Sequence, residues 1–272
     1  MKRLFKPVLF AAVGIILFSA CQGSGQKTKK AQEPKIKKEE IKEEVKKVVY
    51  PLPTSFEVTE MLNRIEASYI YTLSNPPEKA DSYITEKEKA LALGAYGADL
   101  SYASTYNQKQ RVLEYMNVSK KLLEELDISA AVDPKIIEEL ENAGNDKDKL
   151  VEIVTNSFYS TYSYLISNGR APVAFLIMSG SWVEALYIAT HISEETFENK
   201  EMVTIIMKEK EHLDKLMGFL EKYKSSDDVA SVIEILTPLY ETYNSMDATS
   251  ITKQQMLEIA KEVDVARKQI LK

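Results

Sequence analysis

Two carboxylates stand out by the company they keep. Asp99 lies in Gly97-Ala98-Asp99-Leu100-Ser101-Tyr102 and Glu184 in Trp182-Val183-Glu184-Ala185-Leu186-Tyr187. Each acid precedes a tyrosine by three residues, so carboxylate and phenol share one helical face. Glu184 is also the sole charge between Ala171 and His191, a stretch apolar on all sides and therefore expected at the centre of the protein. A buried carboxylate is costly unless it is paired or protonated. Glu184 thus calls for a partner, with Arg170, Arg111 or a tyrosine hydroxyl as candidates, or for a raised pKa. One functional reading makes Asp99, Tyr102, Trp182, Glu184 and Tyr187 the lining of a tyrosine-rich ligand pocket. A second makes the two acids the acid and base of a hydrolase, which needs them across an open cleft at roughly 5 to 10 Å. The plainer reading, a satisfied core network that fixes helix packing, is preferred, because such networks perturb pKa values without doing catalysis.

Other chemistries lack their residues. Only His191 and His212 are present, and Glu209-x-x-His212 is half of the paired motif that binds two metals in helical bundles, with no second copy. No metal or other cofactor is expected. There is no Gly-x-Ser-x-Gly elbow, no phosphate-cradling glycine loop and no Cys pair, since Cys21 is the only cysteine. Fifteen tyrosines are many, and Tyr96, Tyr102, Tyr106, Tyr159, Tyr162, Tyr164 and Tyr187 cluster around the two acidic segments with Trp182. Aromatic rings with a polar tip suit amphipathic ligands and core edges alike, and the core is the default.

The elements that must position these residues are helices. Nine Gly and nine Pro in 272 residues are few, while Leu, Glu, Lys, Ala and Ile dominate, so an all-α bundle of about eight to nine helices is predicted. Cap and stop signals place helices at about 54–74, 85–106, 108–126, 134–144, 146–167, 171–191, 198–223, 227–245 and 252–271, the second and third being candidates for one continuous helix. Gly94, Gly97 and Gly180 fall inside helices, where each costs about 1 kcal/mol against alanine, and close approach of two backbones is the expected compensation. A faint duplication is visible. Tyr69–Pro76 resembles Tyr162–Gly169, and 97–105 aligns without gaps on 182–190. Two related units are expected, 54–145 and 146–245, closed by the helix at 252–271.

The first residues carry an address. Lys2, Arg3 and Lys6 precede an apolar run from Val8 to Phe18, the grammar of a secretory signal occupying residues 1–20. From Pro7 to Ala20 the run falls short of the ~20 apolar residues that span a bilayer. Phe18-Ser19-Ala20-Cys21 resembles the lipobox of bacterial lipoproteins, which implies cleavage before Cys21 and acyl chains on its thiol. Two or three chains hold a protein at a membrane stably, each buried methylene contributing about 0.8 kcal/mol. Residues 21–53 then read as a polar tether, ended by Tyr50-Pro51-Leu52-Pro53. Residues 1–49 carry 12 basic and 5 acidic side chains, and the remainder 23 basic and 36 acidic. The positive part adjoins anionic head groups, whereas the acidic remainder repels phosphate backbones, so nucleic acid is not an expected partner.

The Gly94–Tyr102 and Gly180–Tyr187 segments behind a lipobox resemble a group of helical lipoproteins of Gram-negative gut and environmental bacteria. That resemblance implies an all-α fold and an envelope address, the outer membrane being compatible with Gln22 after the cysteine. It brings no activity, ligand or catalytic residue to transfer. The expected function is therefore a membrane-anchored, non-enzymatic interaction or scaffolding module with an envelope protein partner. Ligand binding near Asp99 and Glu184 and a carboxylate-dependent hydrolase remain as alternatives.

Overall fold

A computed structural model describes residues 68–144, 146–193, 196–246 and 251–272. The signal segment, Cys21, the tether and most of the helix expected at 54–74 lie outside the described residues.

Among the described residues there are eight α-helices, three short 3-10 turns and no strand, an all-α fold as the composition indicated. The helices are α1 Glu86–Thr105, α2 Lys109–Glu125, α3 Ile136–Ala143, α4 Lys147–Ser167, α5 Ala171–His191, α6 Lys200–Lys222, α7 Asp227–Asn244 and α8 Lys253–Ile270. Their ends follow local chemistry. Thr85 with Glu88, and Thr252 with Gln255, form reciprocal capping boxes that satisfy the first free N–H groups of α1 and α8. Asp146 and Asn199 cap α4 and α6 through their side chains. Gly144 closes α3 at φ +62°, a backbone conformation that glycine adopts without a Cβ penalty.

Two boundaries differ from expectation, and a third, left open, is resolved. The described part of the first expected helix holds only a 3-10 turn at Tyr71–Leu73, because side chains of α1 capture its backbone: the Tyr102 hydroxyl accepts the Ile70 N–H and the Asp99 carboxyl accepts the Asn75 N–H. α1 and α2 are separate, broken where Asn107 takes φ +55° and the Asn107 and Gln108 N–H groups bond back to Ser104 and Ala103 carbonyls. α3 begins at Ile136, two residues beyond Pro134.

α5 is the central helix. It packs against α1, α4, α6, α7 and α8, which explains why it is apolar all round. Its length and composition would suit a membrane span, yet its surface is taken up by those neighbours. The most extensive helix pair in the fold is α1 with α5. The two run in the same direction. Glu86 and Arg170 form an ion pair at their starts, Gly94 and Gly180 meet midway, and Tyr102 packs with Ile188 and Ala189 near their ends. A Cβ on Gly94 would lie 1.9 Å from the Ile177 carbonyl oxygen, and one on Gly180 would lie 1.9 Å from that of Leu91. Gly97 meets the Phe158 ring of α4 in the same way, at 1.5 Å. The three interior glycines thus serve close packing, as their cost in a helix suggested.

The segments that align at 97–105 and 182–190 therefore lie side by side on adjacent parallel helices. The other part of the likeness has no structural counterpart, since Tyr162–Ser167 ends α4 whereas Tyr69–Pro76 is mostly extended. All described helices fall in one contact unit, with α5 of the second sequence unit packed on α1 of the first.

Candidate functional site

The densest polar constellation in the described core joins α1, α5, α8 and the segment before α1. α8 turns Met256, Ile259, Ala260, Val263, Ala266 and Ile270 inward, and Arg267 falls in phase with them. Its guanidinium reaches Glu184 in a two-pronged ion pair, Nε to Oε2 at 2.7 Å and Nη2 to Oε1 at 2.7 Å. Nη2 also donates to the Leu73 carbonyl at 3.0 Å, and the guanidinium carbon sits 4.1 Å from the centre of the Tyr187 ring. Such forked pairing matches the planar guanidinium to a carboxylate and adds geometric definition to charge. The partner of Glu184 is thus neither Arg170, which pairs with Glu86, nor Arg111, which pairs with Glu114 and lies over Tyr71.

Asp99 is differently served. It is fully buried, its Oδ2 accepts the Asn75 N–H at 3.0 Å, and its Oδ1 has no hydrogen-bond partner. Burial first, and then the neighbouring Glu184 charge, hold the Asp99 carboxyl well above the usual carboxylate range. Burial also pushes Glu184 up, opposed by the Arg267 guanidinium. Burial acts to lower Arg267, and its bonds to Glu184 outweigh that and raise it. The pair therefore divides its roles: Asp99 carries the proton and Glu184 the charge, the usual outcome when two carboxyl groups share one low-dielectric site and only one has a cation.

The remaining expected site residues are spread out. Tyr102 holds the Ile70 N–H at 2.9 Å and packs on Tyr69 and Tyr106, its phenol pushed up to about 12 by burial. Tyr187 lies under Arg267 and stacks on His191 at 4.2 Å. Trp182 faces another way. Its Nε1 donates to Glu209 Oε2 at 2.9 Å, the same oxygen that contacts His212 Nδ1 at 3.0 Å. The Glu-x-x-His motif of α6 thus clasps the tryptophan of α5, and no group of three metal-ligating side chains occurs among the described residues. Acid and base chemistry needs one carboxyl to reach a substrate. Neither Asp99 nor Glu184 lines any of the described cavities.

What the sequence reading missed is Arg267, Asn75 and Ser74. Arg267 had a signal: 256, 260, 263, 267 and 270 form one apolar stripe in which it is the only charge. Asn75 and Ser74 had none, because their roles arise from a non-helical backbone. Beside the constellation, half-buried Arg267 and the buried Ser74 and Asn75 border solvent space. They wall a cleft of about 480 Å³ that also takes in Tyr71, Tyr115, Lys79, Lys268 and Lys272. Comparison with protein families, with curated proteins and with solved structures finds no match to this chain.

Proposed function

We propose that the chain is an envelope lipoprotein, processed ahead of Cys21 and held at the outer membrane by acyl chains on that cysteine. Its helical domain acts as a non-enzymatic interaction or scaffolding module for an envelope protein partner. The anchor rests on the sequence, on the signal grammar of residues 1–20 and the Phe18–Cys21 lipobox likeness. The observation that supports the non-enzymatic part is the burial of the acids: Glu184 is bound to Arg267 on both oxygens and Asp99 is enclosed, so their geometry is that of a packing device. A hydrolase built on these acids needs a solvent-reachable gap between them, and ligand binding at Asp99 and Glu184 needs a cavity at their side chains. Among the described residues, neither acid lines one of the described cavities.

Metabolic labelling with an alkyne-bearing palmitate tests the anchor. Wild-type protein should take the label and sediment with membranes, while Cys21→Ser should lose the label and become soluble. An unlabelled wild type would overturn it. Crosslinking in cells should recover one envelope protein reproducibly, and recovery of no specific partner would remove the scaffolding role.

A further inference from the structure

Packing is uneven across the bundle. Protein interiors hold few voids larger than a water molecule. Yet a cavity of about 270 Å³ opens among α1, α2, α4 and α5. It reaches from half-buried Leu123 of α2 and Phe158 of α4 to Leu93 and Leu100 of α1, Val154 of α4 and Ile177 of α5, the last fully buried. Side-chain sizes account for the gap. The Phe158 ring fills the notch at Gly97 of α1, while Val154, Ser157 and Thr161 on the same face of α4 are short. α3 closes one side with Ile136 and Leu140, but it packs chiefly on α4. A further cavity of about 200 Å³ is lined by Leu140 together with Val112 and Leu113 of α2, so the short helix does not fill the space beside it.

The lining sets what the larger cavity can hold. At its buried end Leu93, Val154 and Ile177 offer no polar side-chain atom. Ser157 and Thr161 give their hydroxyl hydrogens to the Ile153 and Ser157 carbonyls of their own helix. The charged lining residues, Lys120, Glu124 and Asp133, are exposed and stand at the edge, two acids to one lysine. That balance disfavours a carboxylate head group. An apolar cavity of about 150 Å³ stays dry and takes up benzene. In proportion, about 270 Å³ suits an apolar chain of roughly ten to twelve carbons.

We propose that this cavity binds the alkyl tail of an uncharged single-chain amphiphile, with the tail directed toward Ile177 and the head group at the edge beside Lys120, Glu124 and Asp133. Burial of the tail drives the binding, and the closed apolar end limits its length. This goes beyond the interaction role proposed above, uses neither Asp99 nor Glu184, and does not depend on the lipid anchor.

The test is calorimetric titration with decanol of the whole chain from residue 21, carrying Cys21→Ser so that neither an acyl chain nor detergent competes. Saturable binding at one site is expected. From hexanol to decanol each added methylene should tighten it roughly fourfold, with no further gain beyond about dodecanol. Decanediol should bind at least about tenfold more weakly, because its second hydroxyl would be buried beside Ile177 without a partner. Decanoate should also bind more weakly than decanol. Thr161→Leu separates binding from folding. The longer side chain occupies the cavity, and the lost hydroxyl bonds only its own helix, so decanol should weaken at least about tenfold while the melting temperature stays equal or rises. Leu257→Ala, on the exposed face of α8, should leave binding unchanged. Absence of saturable decanol binding, decanediol binding as tightly as decanol, or a Thr161→Leu protein that melts normally and binds decanol undiminished would overturn the proposal. The diol comparison uses the unsubstituted cavity, so it decides the matter even where Thr161→Leu folds poorly.

Discussion

Asp99 and Glu184 occupy matched positions on two parallel, tightly packed helices, and the protein treats them in opposite ways. Glu184 receives a guanidinium on both oxygens. Asp99 receives one backbone N–H and keeps an oxygen without a bond. Both are fully buried, so exposure does not separate them. The difference is that one cation is supplied, by α8, and it goes to Glu184. In a medium of low dielectric a single guanidinium supports a single negative charge, and the other carboxyl is cheaper to keep protonated than to ionise. The carboxyl with the guanidinium therefore ties α8 to α5, and the one without it ties the segment before α1 to α1 by hydrogen bonding alone.

The sharpest way to break this comparison is to remove the cation. Arg267→Ala should leave Glu184 buried without its counter-charge and should strip the Leu73 carbonyl of a donor. Losing one partner of a buried pair costs about 3–5 kcal/mol, enough to unfold many domains. Urea denaturation followed by circular dichroism should show the midpoint fall steeply. A loss below about 1 kcal/mol would mean that Glu184 finds another partner or takes up a proton easily.

The next effect tests what brings the two acids level. Gly94 and Gly180 allow α1 and α5 to touch backbone to backbone, and a methyl group at either would collide with a carbonyl that cannot rotate away. Gly180→Ala should therefore cost roughly 1–3 kcal/mol as the helices part. Gly218→Ala is the control, since nothing lies within 4 Å of an added Cβ there. It should be neutral or stabilising, alanine being the better helix former. Thermal melts of the two variants give the contrast directly, and equal melting temperatures would remove the close-approach account.

Much of this was legible in the sequence, and for identifiable reasons. Helix ends at Gly144, Asp146, Thr252 and Asn168 are written in local cap chemistry, which acts over a few residues. The centrality of α5 followed from a charge-poor, all-round apolar stretch, and the glycine contacts from the cost of glycine in a helix. The partner of Glu184 was not legible as a pair, because Arg267 lies 83 residues away and which helices meet is decided by packing of the whole bundle. The segment 68–74 misled for a related reason. Its helical pattern is overridden by Tyr102, which takes the Ile70 N–H, and by Asp99, which takes the N–H of Asn75 just beyond it. Trp182 was grouped with the acids by proximity in sequence, yet on a helix its position turns it toward α6 and Glu209.

The smallest expected effect is also the most discriminating. Asp99→Asn keeps the size of the side chain and the acceptor for the Asn75 N–H, and it removes the proton that Asp99 must otherwise hold. Because burial and Glu184 raise the folded-state pKa of Asp99, its contribution to stability is fully present below the unfolded value near 3.9 and is lost as pH rises toward the folded value. Asparagine does not titrate, so the variant escapes that loss. At pH 4 wild type and variant should differ by less than about 1 kcal/mol, and by pH 7 the variant should equal or exceed the wild type. Urea midpoints at the two pH values measure this. A variant that is more destabilised at pH 7 than at pH 4 would show that folded Asp99 is an anion with a partner of its own, and the division of roles between the two acids would be wrong.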